Sequence, residues 1–378
     1  MMRNHVITFR SDLRYDGRVC AMIRTLALAF PEDRVYLYEL LREDAYDLPT
    51  FPNNVIIKRP YLLSKQLPSN KLSKIFVFFE FYMYSLCFLL YKRPATIQLH
   101  YEVCLLPSLL YKLLFRRSKL IYNDQELYHH RDKNIPSFFY WIEYAIIKYS
   151  DILIETNEYR RKAVFYIHKN EIRKCVIIDN YVFEPTIGIL DQRFLEQIYN
   201  IKSKGLKILL HQGTIDPHRG EHLLLSILGN IPEDWTILFI GISEQDYSNF
   251  ISRIPRAHKE KTYWMGFIPY KQLNSLYCYI DAAALFYGDQ TYNNKYCAPN
   301  RLYSAVNNGV PIIVNKENVT LSDFIRKFNN GVFIPEFANL ELFFDKYSYY
   351  REIAFELKGK FQYGNTIDVL MKIYKEIC

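Results

Sequence analysis

The chain has 378 residues, half of them apolar, which excludes a disordered or fibrous protein and calls for two separate cores. Its seven cysteines (Cys20, Cys87, Cys104, Cys175, Cys278, Cys297, Cys378) form no C-x-x-C pair and no regular spacing, against a zinc site or disulfide framework and for a reducing cytosol. The formal charge of +8 is unevenly placed: between Ile56 and Leu120 eleven cations stand against two anions, Glu80 and Glu102.

In chain order, the start passes from a polar tip into a short strand and lacks the long apolar core and cleavage site of a signal peptide, so the protein is expected to stay in the cytoplasm. Apolar runs predict strands at 5–9, 34–39, 54–58, 96–99, 119–122, 152–155 and 175–178, with helical patterns between them. Within the basic block, residues 75–91 form an aromatic-rich run with Lys71 and Lys74 before it and Lys92-Arg93-Pro94 after. Glu80 and Ser85 leave it short of the ~20 clean apolar residues of a spanning helix. Two readings stand: a helix buried in its domain with solvated lysines, or a peripheral attachment to anionic lipid, each cation worth roughly 1 kcal/mol. The basic run is mixed with bulky aliphatics and no zinc finger or RNA-binding aromatic motif is present, so nucleic acid is not expected as a partner.

After Pro185 a polar stretch leads to Lys204-Gly205, and a second series of strands is predicted at 207–210, 236–240, 262–264, 282–286, 311–314 and 331–334. Alternating strands and helices make an α/β protein of two Rossmann-like, doubly wound parallel-sheet domains. Their expected bounds are 1–185 for an acceptor domain and 186–360 for a nucleotide-sugar domain, with 361–378 a helix returning to the first. Open parallel sheets bind ligands at the carboxyl ends of their strands, so two such domains facing each other place the site in the cleft between them. The run 208–220 is a strand entering a turn bracketed by Gly213 and Gly220. Unpaired N–H groups, the helix dipole and Arg219 would form an anion cradle there. The run 298–314 is a helix with a stop at Gly309 and then a Pro-led buried strand.

Six segments in order carry a family resemblance. Asp16-Gly17-Arg18-Val19 resembles a D-x-R-V helix opening that meets donor phosphates. His100-Tyr101-Glu102 and residues 122–128 (Tyr-Asn-Asp-Gln-Glu-Leu-Tyr) resemble a His/Asp loop and a Y-D-A-H-E-L-Y segment. Gly213 to Gly220 resembles G-R-L-x-x-x-K-G, Met265-Gly266-Phe267-Ile268-Pro269 a G-x-v-p run, and Pro299 to Pro311 the pattern P-N-K-L-f-E-y-l-a-x-G-x-P. The chain thus resembles the retaining GT-B glycosyltransferases called family 4, from about residue 5 to 334.

The resemblance implies a sugar moved from a nucleotide-diphosphate donor to a growing glycan, with no metal or other cofactor; the basic aromatic block adds the expectation that the glycan is polyprenyl-linked and that the protein sits at the inner face of the membrane. It assigns His100 and Glu102 to catalysis, Glu126 to the acceptor side, and Asp16, Gly17, Gly213, Thr214, Arg219, Gly220, Tyr296, Pro299, Asn300, Arg301, Ser304 and Gly309 to the donor. No D-x-D motif or His/Asp ligand cluster is present, in agreement. Four positions depart from the pattern: Ser304 and Tyr296 replace glutamates, Thr214 an arginine and Gln125 a histidine. Plainer readings remain for the same residues: Asp16 as an N-cap, His100 as a core-edge histidine, Asn300 and Arg301 as cap and surface residues, the glycines as turn formers. Two other functions share the pattern, a nucleotide-sugar epimerase and a degenerate binding or scaffold subunit.

Overall fold

The computed structural model of the chain describes residues 2–9, 13, 16–40, 50–68, 70–100, 104–127, 137–168, 174–181, 189–288, 290–334, 337–362 and 364–377. These form two compact units, one made of residues up to Asp179 with those from Thr366 on, the other of Asn180–Asn365. The divisions expected at 185 and 360 fall a few residues to either side of these, and 182–188 lie outside the described residues.

In the first unit the order is β1 (Asn4–Phe9), α1 (Gly17–Ala29), β2 (Arg34–Glu39), β3 (Val55–Lys58), α2 (Lys71–Lys92), β4 (Thr96–His100), α3 (Leu105–Leu114), β5 (Lys119–Asn123), α4 (Ser137–Tyr149), β6 (Ile152–Glu155), α5 (Glu158–Ile167) and β7 (Cys175–Ile177). The seven strands are parallel in the order β3-β2-β1-β4-β5-β6-β7. Their near-continuous apolar runs follow from burial on both faces: Val6, Ile7, Val35, Leu37, Ile97, Leu99, Leu120 and Ile121 are all within the core. Right-handed crossovers put α1 on one face and α2, α3 and α4 side by side on the other.

The second unit runs α6 (Gln192–Ser203), β8 (Lys207–Gln212), α7 (Glu221–Asn230), β9 (Trp235–Ile240), α8 (Glu244–Ser252), α9 (Arg256–Lys259), β10 (Thr262–Gly266), α10 (Tyr270–Tyr277), β11 (Ala282–Leu285), α11 (Tyr292–Tyr296), α12 (Asn300–Asn307), β12 (Ile312–Asn315), α13 (Val319–Phe328), β13 (Gly331–Ile334), α14 (Phe337–Asp345) and α15 (Tyr347–Glu356). Its six parallel strands lie in the order β10-β9-β8-β11-β12-β13. Alternate residues of one strand feed opposite cores: Ile208 and Leu210 pack with Leu238, Ile312 and Val314, while Leu209 packs with Ile237, Phe239 and Ile313. The last helix, α16 (Gly364–Ile377), belongs to the first unit, where the Tyr374 hydroxyl donates to Gln98 Oε1 at 2.7 Å and Lys174 pairs with Glu376 at 3.1 Å.

Candidate functional site

In the second sheet the direction of winding reverses between β8 and β11, so the chain segments leaving those two strands diverge and open a crevice at their carboxyl ends. Three strands end there on a glycine in the left-handed region: Gly213 (φ 105°) after β8, Gly241 (φ 72°) after β9 and Gly266 (φ 68°) closing β10. Their amides are chained, Gly213 N–H to the Ile240 carbonyl at 2.9 Å and Gly241 N–H to the Gly266 carbonyl at 2.7 Å. A Cβ on Gly241 would reach to 3.4 Å of the Gly213 nitrogen. Gly241 and Gly266 were not among the expected site residues; the pairing of β8 with β9 and of β9 with β10 is what brings them beside Gly213.

Beyond Gly213 the chain turns through exposed Thr214 and a tight turn at Pro217–Arg219 into α7. His211, fully buried, sets the bend: its Nε2 lies 3.3 Å from the Thr214 carbonyl. Burial, with Arg301 beside it, holds the ring neutral by pushing its pKa down to about 3. Gly220 opens α7 in the left-handed region (φ 72°), and a Cβ there would sit 2.5 Å from Phe286 Cβ, so only glycine fits between turn and strand. The cradle of free amides expected at this turn is reduced. The Asp216 carbonyl takes the N–H groups of both Arg219 and Glu221, and the Gly213 amide is spent on β9.

Charge at the turn therefore rests on side chains. Arg219 is half-buried with its guanidinium 4.6 Å from the centre of the Tyr287 ring. Burial alone would lower its pKa, but the acidic groups of Tyr287, Cys297 and Asp216 raise it, so it stays a cation. Arg301, buried on α12, is 4.5 Å from the same ring. It donates to the Tyr287 hydroxyl at 3.0 Å, to the Phe286 carbonyl at 3.1 Å and to the Gln212 carbonyl, bracketing the ends of β8 and β11. Tyr287 is fixed in turn by Asn315 at the end of β12, which accepts from the Tyr287 amide at 2.9 Å and donates to its carbonyl at 2.6 Å.

The remaining donor-side residues spread around this centre. Pro299 and exposed Asn300 start α12, and Ser304 is buried one turn further along it. Half-buried Tyr296 ends α11, and its carbonyl accepts from Thr320 at 3.2 Å. Gly309 (φ 68°) stops α12 against α15, where a Cβ would lie 3.3 Å from the Phe355 Cα, which is a packing role.

In the first unit the winding reverses between β1 and β4. Asp16 caps α1, its Oδ1 accepting from the Val19 amide at 3.0 Å, and Gly17 is the buried first residue of that helix. Arg18 reaches under the strand ends to the Ile178 carbonyl and Asn123 Oδ1, both at 2.9 Å. His100 ends β4, fully buried. Because the Asn123 oxygen is committed to Arg18, the Asn123 amide N–H donates to His100 Nδ1 at 2.7 Å, with Gln125 Nε2 at 3.1 Å from the same atom. Burial and then Arg18 push its pKa down to about 3, so at neutral pH it is an uncharged, hydrogen-bonded ring. Glu102 lies outside the described residues. Glu126 is half-buried beyond the end of β5.

Under those strand ends is a cluster the sequence reading missed. Arg160 on α5, buried, pairs with Asp124 at 3.1 Å and Glu155 at 2.9 Å, while the Tyr122 hydroxyl donates to Glu143 at 2.9 Å. Burial first, and then the neighbouring Asp124, raises the pKa of both Glu143 and Glu155 well above the usual carboxylate range. The cations of the basic block divide: Arg59 pairs with Glu39, and Lys112 and Lys119 with Asp151, while Lys92 and Arg93 close α2. The side chains of Lys71 and Lys74 are not among those described. No group of three His, Cys, Asp or Glu side chains is placed to hold a metal among the described residues.

No family model matches the chain, and no curated protein matches its sequence. Solved structures do. A sucrose-phosphate synthase from Thermosynechococcus elongatus superposes with a TM-score of 0.73 at 13% identity, covering 99% of each chain. Anabaena HepE, solved with UDP and glucose, gives 0.70 at 14% identity over 99% of this chain and 100% of that one. A glycosyltransferase from Rickettsia africae gives 0.65 at 14% identity, over 100% and 98%. With its two parallel-sheet Rossmann-like units, the chain has the fold that these GT-B glycosyltransferases share.

Proposed function

We propose that the protein is a glycosyltransferase that moves a hexose from a nucleotide-diphosphate sugar to a growing glycan, lipid-linked on a polyprenyl carrier, with retention of anomeric configuration and in the service of surface polysaccharide or glycolipid assembly. One observation carries the reading: Arg219 stays charged while half-buried, at the carboxyl ends of β8 and β11 where the second sheet reverses its winding. A guanidinium held there by Tyr287 favours a diphosphate, and favours it most when the bond to the sugar breaks and charge builds on the leaving oxygen. In the transfer the bond from the anomeric carbon to the phosphate oxygen breaks and a bond to the acceptor oxygen forms. The acceptor proton passes to the departing phosphate, so a strong protein base is not required. A neutral His100 fits that division of labour.

The test is incubation with a panel of nucleotide sugars and a polyprenyl-linked glycan, following nucleoside diphosphate release and the product's anomeric configuration by NMR. Release that needs the acceptor and gives the donor's configuration supports the reading. Sugar lost without acceptor would make the protein an epimerase-like enzyme, and failure to bind any nucleotide a scaffold subunit.

A further inference from the structure

The three helices on one side of the first sheet carry a surface with two unlike halves. The inner stripe of α2 is spent on the sheet: Phe81 and Phe88 stack on Tyr38 with ring centroids 5.6 and 4.6 Å apart, and Ser85 and Leu89 are buried. Its outer stripe is apolar and exposed, with Phe76 58%, Phe79 62% and Met83 49% accessible. The next helix, α3, exposes Leu113 and Leu114 at its end, and α4 exposes Trp141, 63% accessible. Large apolar side chains exposed on three adjacent helices mark an interaction face and not an ordinary solvated one.

Charge identifies what covers it. Helices that follow successive parallel strands run the same way, so α2, α3 and α4 end along one edge. That edge bears Lys92 and Arg93 closing α2, exposed Arg116 and Arg117 after α3, and exposed Lys148 in the last turn of α4. Asp151, just before β6, binds Lys112 and Lys119, and farther up α2 the Glu80 carboxylate accepts from the Leu63 and Ser64 amides at 2.9 and 2.8 Å. Exposed apolar side chains and an indole on three adjacent helices, with cations gathered at the helix ends, complement an anionic bilayer surface.

We infer that this three-helix face docks on anionic lipid, with α2 and α3 lying in the plane of the headgroups. Against the expectation drawn from Glu80 and Ser85, residues Ile75–Lys92 of α2 are long and apolar enough to cross a membrane by length and composition alone. Crossing would strip Phe81 and Phe88 from Tyr38 and Glu80 from its two amides, so it lies flat. The inference stands apart from the transfer reading, because lipid binding needs no donor.

Flotation with vesicles decides it. The full chain is expected to float with phosphatidylcholine vesicles containing phosphatidylglycerol, not with pure phosphatidylcholine, and to shift its Trp141 emission to the blue. Replacing Phe76 and Phe79 with Ser, or Arg116 and Arg117 with Glu, should lower binding about tenfold or more, while nucleotide affinity is unchanged. Because these side chains are exposed, the variants keep the fold, which circular dichroism checks. Equal binding to both vesicle types, binding unaffected by either pair, retention of the protein in membranes through alkaline carbonate extraction, or a dimer in solution that the Phe variants dissolve would each overturn it.

Discussion

Replacing Gly220 with Ala tests how the turn from β8 to α7 is built. The backbone at Gly220 is left-handed (φ 72°), which costs an L-residue roughly 1–2 kcal/mol. The added Cβ would also lie 2.5 Å from Phe286 Cβ, an atom fixed by the backbone of the segment leaving β11, and relieving that overlap costs about 1–3 kcal/mol. Together these predict a loss of about 2–5 kcal/mol in the second unit. Gly229, inside α7, has open space to 4 Å around the place a Cβ would take, and is the internal control. There Gly→Ala should gain about 0.5–1 kcal/mol through helix propensity. With two units, a single unfolding free energy is not defined for the chain. A Trp141→Phe background leaves Trp235 and Trp264 as reporters of the second unit in urea titrations. Equal midpoints for the Gly220 and Gly229 variants would refute the packing argument.

Three further outcomes follow from the buried charges. Arg160→Met strands Asp124 and Glu155 without their shared cation and should cost about 3–5 kcal/mol in thermal or urea unfolding of the first unit; a variant as stable as the parent would mean the cluster is already neutral. His100 and His211 have pKa values pushed to about 3, so the unfolded chain takes up protons near pH 6.5 that the folded rings refuse. Their contribution is present above pH 6.5 and is lost as pH falls toward 3, at about 1.4 kcal/mol per unit for each ring, and His100→Gln should flatten that slope. Glu143 works with the opposite sign: its raised pKa favours the folded state at low pH and that support is lost as pH rises past the ordinary carboxylate range. Glu143→Gln should therefore stabilise the first unit at pH 8 more than at pH 4.

The sheets were legible because buried parallel strands are uninterrupted apolar runs: 34–39, 152–155 and 331–334 coincide with β2, β6 and β13. The run at 207–210 falls short of Gln212 because His211 and Gln212 read as polar turn, whereas His211 is buried and carries β8 two residues further. The turn glycines were partly legible, Gly213, Gly220 and Gly266 within motifs, Gly241 only through the register that stacks it on Gly213 and Gly266. The partners of charged residues were not legible. Arg301 reads as a free cation for a ligand, whereas three of its five N–H groups go to Gln212, Phe286 and Tyr287, which only the pairing of β8 with β11 brings within reach. Arg160 likewise meets Asp124 and Glu155 across three separate elements.

The central claim is that a nucleoside diphosphate binds beside Arg219 at the end of β8. Isothermal calorimetry of UDP, GDP and ADP against the parent chain and Arg219→Ala tests it most directly. The account predicts that at least one of them binds the parent, and that removing the guanidinium weakens it by about 1.5–3 kcal/mol, roughly ten- to a hundredfold, the worth of hydrogen bonds to a charged group. Equal affinity for the two proteins, or no binding of any of the three to the parent, would contradict it.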